Sequence, residues 1–394
     1  MSRHPKTVIE ILNRSLAKIA EIKAPYPITN DGMCLRYSRE LSDYGQCIFR
    51  VSTKDTVLSQ FGDILKPHQY HVRIRRAGVI VWQGAIVDNP KRNKRYVEVK
   101  AVEYLFYLDR ILIRRDADNP GTANDESNFR VFNSGTMASA VQTVFQNAIT
   151  DLGPNHILST ATVGTIENPN YPDNFLDATK QPLRGGWTFN SSVTVQYDYH
   201  SALYLLKSFG IYTNADFEVT TGLVFNFKKL IGQRVSGISF VYGRIGTNIV
   251  DYNFPRLGRR MANDLIGIAT DDLGNVLHAN KVDTTSVNLI GRLQEPRPFA
   301  DIKNQNLLDS RLANEIRLTV DPEESPITIV LDEKAYPLGQ FSLGDIIWVK
   351  VKDHAIDYNK ERRIIGYTVN LHETGREMTY VQTNRPLDAL QGAS

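Results

Sequence analysis

A handful of short stretches in this chain carry side chains capable of chemistry, and in each the spacing falls short. His372-Glu373-Thr374-Gly375-Arg376 begins like the zinc-protease helix motif, but Arg376 stands where the second histidine would have to be. Gly375 between two strand-like runs predicts a hairpin turn there instead. His68 and His71 are separated by a gap that a metal site could use. At strand period, however, they point to opposite faces, with no cysteine or carboxylate at ligand spacing. Asp271-Asp272-Leu273-Gly274-Asn275 offers oxygen ligands but is too short for a calcium loop and lacks its closing glutamate, so a tight turn is expected. Gly243-Arg244-Ile245-Gly246-Thr247 lacks the Lys-Ser/Thr end of a phosphate loop, and neither a dinucleotide fingerprint nor a serine nucleophile elbow is present. Glu323-Glu324 lies beside prolines, where solvated charge is the default. No catalytic, cofactor-binding or metal-ligating residue is therefore assigned, and a non-enzymatic protein without a cofactor is expected. Carboxylates that converge from distant segments are invisible at this level, which leaves a hydrolase of unfamiliar type as an alternative.

The densest basic run, Lys91-Arg92-Asn93-Lys94-Arg95, falls at the tip of an expected hairpin between Ile86 and Tyr96. Charged tips serve solubility. They also serve contact with an acidic neighbour, or with DNA at a channel mouth.

The elements that would position these residues are mostly strands. Met33, Leu35 and Tyr37; Cys47, Phe49 and Val51; Tyr70, Val72 and Ile74; and Val97, Val99 and Ala101 each alternate with polar neighbours, the pattern of half-buried antiparallel strands. Strand patterning resumes at Val193–Tyr199, Leu223–Phe227 and Ile238–Tyr242. Helical spacing appears at residues 136–149, at His200–Phe209 with Gly210 as its stop, and at Leu307–Ile316. Val8, Ile9, Leu12, Leu16 and Ile19 also fit a helical stripe, so the N-terminus is read as an amphipathic helix. Residues 161–186, rich in Pro, Asn and Gly, read as a long surface excursion. Two stretches look duplicated. Gly62-Asp63-Ile64 and Gly344-Asp345-Ile346 each precede a strand-like run, and a second glycine follows 22 residues later, at Gly84 and Gly366. A further alternating strand closes each stretch, Tyr96–Tyr104 and Glu377–Thr383.

With 394 residues the chain has room for several domains, and 42% apolar with 23% charged residues marks a folded protein. A net charge of +3 is too mild to argue nucleic-acid binding by itself. Cys34 and Cys47, the only cysteines, exclude a disulfide framework; they fit a reduced pair or one bridge between neighbouring strands. No apolar run approaches the about 20 residues of a membrane helix, and charges interrupt the N-terminus where a secretory signal would need an apolar core.

The order of elements resembles the tail hub, or baseplate hub, proteins of long-tailed bacteriophages and related injection machines. Four places carry the resemblance. The first is Gly32-Met33-Cys34-Leu35-Arg36-Tyr37-Ser38-Arg39-Glu40 followed by Tyr44-Gly45-Gln46-Cys47-Ile48-Phe49. The second is Val79–Val87 with Val99–Leu105, running to Asp109-Arg110-Ile111-Leu112 and on to Arg114 and Arg115. The third joins Thr285-Ser286-Val287, Gly291-Arg292, Glu295-Pro296, Asp301-Ile302 and Leu307–Ala313; the fourth is Gly344–Lys352 with Arg363–Tyr367.

The resemblance implies a β-rich α+β chain in which two tube-like antiparallel β-barrel or sandwich domains flank a mixed α/β middle region. The expected divisions are an N-terminal helix at 1–29, a first barrel at 30–118, a middle region with long loops at 119–315, a second barrel at 316–384 and a tail at 385–394. It further implies a virion protein at the phage tail tip, assembled in the host bacterial cytoplasm as a homotrimeric ring. Such a ring would join the tail tube or distal tail protein, the tape-measure protein and tail fibre or tip proteins, and let DNA pass without sequence-specific binding. A receptor- or glycan-binding tail adhesin and a tail-associated peptidoglycan hydrolase are the alternatives.

Overall fold

The computed structural model describes residues 7–384 apart from 24, 62–63, 113–129, 135–136, 168–192, 198–200, 214, 244–246, 255–260, 272, 300–301, 303–304, 321–326, 333–338 and 355. The duplicated Gly62-Asp63, the Gly243 loop beyond its first residue, Glu323-Glu324, most of the 161–186 excursion and the 385–394 tail lie wholly or partly outside the described residues.

The first described element is a hairpin, not a helix. Strands β1 (Thr7–Leu12) and β2 (Lys18–Ile22) pair with each other, and β1 also pairs with β5. The apolar spacing fits both periods. What decides is the β-branched content of Thr7, Val8, Ile9 and Ile11, together with a turn at Asn13. The Asn13 side-chain oxygen Oδ1 accepts from Ser15 N at 3.0 Å and Ala17 N at 2.9 Å, and Leu16 sits at φ +61°. Polar Glu10, buried between the strands, is met by Arg73 at 3.5 Å and Arg75 at 3.1 Å.

Next come β3 (Met33–Glu40), β4 (Gln46–Ser52), the short α1 (Thr56–Phe61), β5 (His71–Arg76), β6 (Val79–Arg92) and β7 (Tyr96–Glu103). They pair in the order β3-β4-β7-β6-β5-β1-β2. The alternation read from the sequence places Leu35, Tyr37, Cys47, Phe49, Val51, Val72, Ile74, Val97 and Val99 inside.

A second body follows: α2 (Phe106–Asp109), β8 (Arg130–Ser134), α3 (Met137–Leu152), β9 (Thr162–Ile166), β10 (Val193–Tyr197), α4 (Ala202–Thr213), β11 (Asp216–Val219) and β12 (Val224–Lys228). β11 and β9 flank β12, and β8 pairs with β10. The body packs around Phe145, Phe209, Phe217, Phe225 and Phe227, with the Phe145 and Phe225 rings stacked at 4.0 Å. The expected stop at Gly210 is passed: α4 runs on through it, and the glycine is there because Ala215 O returns to within 2.7 Å of where a Cβ would stand.

β13 (Arg234–Tyr242) and β14 (Ile249–Asn253) leave this body and return to the main sheet. The chain then builds a small module from β15 (Asp264–Thr270), β16 (Val276–Val282), α5 (Thr284–Ile290), β17 (Gln294–Phe299) and α6 (Gln305–Thr319). Leu308, Leu312 and Ile316, one turn apart on α6 as the spacing predicts, bury against Leu265 and Ala269.

β18 (Ile327–Asp332), β19 (Ile346–Lys352), β20 (Asp357–His372) and β21 (Glu377–Asn384) complete the chain. Their unit has the order β14-β18-β21-β20-β19-β13, strand for strand that of β3-β4-β7-β6-β5-β1. One difference is that β13 lies parallel to β19, whereas β1 is antiparallel to β5. The second unit is thus assembled from separated parts of the chain, β13 and β14 joining it from well before residue 316. β20 pairs with β3, so both units merge into one 13-stranded sheet around a common apolar core. The fold is β-rich α+β.

Trp82 is fully buried in that core and donates Nε1–H to Ser38 O at 3.0 Å. Trp82→Ala should lower the unfolding free energy by about 3–5 kcal/mol, read from denaturant midpoints.

Candidate assembly surface

The structural feature that separates this chain from two independent barrels is β20. One edge of β20 pairs with β21 from Arg363 to Leu371. The other edge serves two strands in succession: β19 opposite Asp357–Arg363, then β3 opposite Gly366–His372. The counterpart β6 does the first half of this only. Val79–Ala85 pair with β5, and Ile86 exchanges hydrogen bonds with His68 and Tyr70 at 2.7 and 3.1 Å. Ile364 does the same with Gly344 and Asp345 at 2.8 and 2.9 Å. Ile86 therefore corresponds to Ile364.

Beyond Ile86, no described strand lies on that edge of β6; the Asn89 amide reaches Leu65 O at 2.8 Å. The same register makes Cys47, Phe49 and Val51 correspond to Ile327, Ile329 and Leu331, all buried. The glycines that drew attention to the duplication are not equivalent. Gly84 stands opposite Val72 as Arg362 stands opposite Ile347, so the equal 22-residue spacing of the markers is a coincidence within a real repeat.

Charged groups lock the two units together from inside. Arg76 Nε donates to Glu377 Oε2 at 2.6 Å, with 6% and 1% of the side chains exposed, and Thr7 Oγ1 donates to the other carboxylate oxygen at 2.7 Å. At the boundary with the second body, Arg363 donates to both Asp216 carboxylate oxygens, to Ile231 O at 3.1 Å and to Gly344 O at 3.2 Å. The Asp345 carboxylate accepts from Gln233 N at 2.9 Å and Ser342 N at 2.7 Å. Gly344 (φ +82°) must be glycine, because a Cβ there would stand 1.7 Å from Ile231 O. Partners this far apart in the chain leave no local signal; the only hint is charge inside apolar strand runs.

The candidates from the sequence fall as follows. His372–Arg376 is the β20–β21 turn: Gly375 N donates to His372 O at 2.8 Å, and Glu373 N to Gly32 O at 2.9 Å. Asp271 caps its turn by accepting from Leu273 N at 2.9 Å and Asn275 N at 2.7 Å. Cys34 and Cys47 are free, and both thiols are buried. Burial pushes Cys34 up to about 11, which makes it a poor nucleophile at neutral pH. Lys91–Arg95 is exposed at the β6–β7 tip. Among the described residues no group of three or more metal-ligating side chains converges.

His68 and His71 do not take the opposite faces expected of them. His68 sits at φ +59° ahead of the strand, and its ring lies 6.1 Å from Tyr107; the His71 ring is 5.6 Å from Tyr104. His156 completes the cluster edge-on to Tyr107 at 4.2 Å. Burial lowers both His71 and His156 to about 4, with neighbouring histidines adding to the shift.

Comparison with solved structures follows the fold, not the sequence. The chain aligns with the tail protein from Neisseria meningitidis MC58 at TM-score 0.61 and 10% identity, over 96% of each chain. It aligns with the 43 kDa tail protein of prophage MuSo2 from Shewanella oneidensis at TM-score 0.62 and 11% identity, over 99% of this chain and 100% of that one. This chain has the fold of phage tail proteins. Prophage tail protein gp18 from Listeria monocytogenes EGD-e matches at TM-score 0.53 and 11% identity, over 98% and 97% of the two chains. No family model and no curated protein matches the sequence. At such identities the likeness is one of fold over the length of both chains.

Glu377→Ala, which removes the carboxylate paired with buried Arg76, should cost about 3–5 kcal/mol in denaturant unfolding. The histidines set an acid limit. Each keeps its neutral form in the folded state, while the unfolded chain takes up protons near the ordinary value of 6.5. Stability should therefore be full above that pH and fall as pH drops from 6.5 towards about 4. Replacing His71 by Phe should flatten the fall in a pH series of melting curves.

Proposed function

We propose that this protein is a structural component of a phage tail tip, the hub, and that it works as a homotrimeric ring joining the tail tube to the tip. The observation that carries this reading is the internal duplication. A chain with two equivalent β-units in one sheet, assembled three-fold, presents six similar units, which is what a three-fold tip needs to meet a six-fold tube. The shared fold with phage tail proteins over essentially the full length of each supports it. Closed cyclic assembly also removes the exposed sheet edges that such a unit leaves at both ends.

The role is mechanical and non-enzymatic. The ring binds the tail tube or distal tail protein on one face and tip or fibre proteins on the other, and holds the tape-measure protein until ejection. DNA then passes through without being gripped, because each phosphate contact would add affinity and slow transit. The protein's place is the virion tail tip, after assembly in the host cytoplasm.

Negative-stain electron microscopy of the purified protein should give end-on class averages with three-fold symmetry, a central hole and six peripheral densities. Two-fold dimers would sink the hub reading.

A further inference from the structure

The joint between the two units inside the chain is a template for contact between chains. In that joint the end of β20 and the β20–β21 turn lie against the beginning of β3. Leu371 pairs with Leu35, Glu373 N donates to Gly32 O at 2.9 Å, and His372 Nε2 bonds Asp31 O. The register identifies the counterparts. Leu35 stands opposite Phe49 as Tyr252 stands opposite Ile329, and Phe49 and Ile329 are equivalent, so β14 is the counterpart of the start of β3. The β6–β7 turn is the counterpart of the β20–β21 turn. Among the described residues no strand covers either counterpart. β14 is the end strand of the sheet, paired with β18 alone, and Val250 on it is 45% exposed. Tyr252 N donates to the neighbouring Asp251 carboxylate at 2.8 Å. The β6 edge past Ile86 has no described strand beside it, and Pro90 on it is a residue that strands tolerate at such edges.

We propose that chains associate by repeating this joint across the subunit boundary: the β6–β7 turn, Lys91–Arg95, seats on the outer edge of β14 of the next copy. The occupant is a second copy of this chain because the chain already contains both halves of the contact and shows how they fit. Charge agrees. The exposed basic turn meets Asp251, also exposed, which sets an acidic side chain against Lys91 and Lys94. The two surfaces belong to different units of the sheet, so the contact is head-to-tail, and it closes a ring or runs on as a filament according to its rotation. The inference rests on the self-association proposed above and adds the surface that makes it.

The test is a full-length Lys94→Cys/Val250→Cys variant, oxidised mildly and run on non-reducing gels, with mass spectrometry of the linked peptides. Both positions are exposed and the native thiols are buried, so folding and background should match the parent. A ladder of chains cross-linked through the two introduced thiols is expected in the double variant and absent from both single variants. Three-fold rings by microscopy without that ladder would overturn the strand contact and leave the hub reading standing. A ladder running on as open polymer, with no three-fold rings, would keep the contact and remove the trimer. Sedimentation gives an independent readout. Lys91→Glu/Lys94→Glu should weaken assembly about tenfold and Asp251→Lys should restore it; unchanged assembly in the first variant counts against the contact.

Discussion

Everything in this molecule depends on one backbone arrangement: a single long strand whose one edge hydrogen-bonds two strands in succession. Buried peptide groups must find partners. β20 meets that demand with β19 as far as Arg363 and then, where β19 has ended, with β3 from the other unit. The two β-units are thereby joined in one sheet. The irregularity between Ile364 and Gly366 falls where the partner changes, as expected where a strand must bend to serve two neighbours.

The buried charges are intelligible against that arrangement. Apolar contacts alone tolerate small slides between sheets, whereas an ion pair such as Arg76 with Glu377, or Arg363 with Asp216, is satisfied in one geometry only. Such pairs add little net stability compared with packed apolar residues, yet removing one partner is expensive. Their positions, at the seam between units and at the seam with the second body, are where register matters most.

The histidine cluster and the small β15–β17 module show how differently the remaining segments are built. Tyr104 and Tyr107 with three histidines make a polar-aromatic contact between the first unit and the second body. The module closes its own core with α6 while Leu273, Leu289 and Ile290 stay largely exposed at its outer end. It is tied to the sheet through β14 on one side and β18 on the other, an insertion within the second unit and not a spacer between units.

What the sequence determined by itself was the local physics. Period-two alternation at Cys47–Val51 and Val97–Ala101, and one-turn spacing at Leu308, Leu312 and Ile316, named strands, helix and buried faces, because those periods follow from backbone geometry alone. The turn chemistry at Asp271 and Gly375 was legible for the same reason. Tertiary structure decided whatever needed a distant partner. Thr7–Ile22 fits either period; its β-branched residues and the Asn13 turn favour a hairpin, and β5 supplies the edge on which β1 pairs. The second unit borrows β13 and β14 from far upstream, which no spacing announces. Even the repeat was found through glycines that prove inequivalent, since its true register lies in which backbone groups bond to Ile86 and Ile364. Hydrogen bonds between strands hundreds of residues apart leave no trace in the order of side chains. Only the folded sheet shows which edges are filled and which are open.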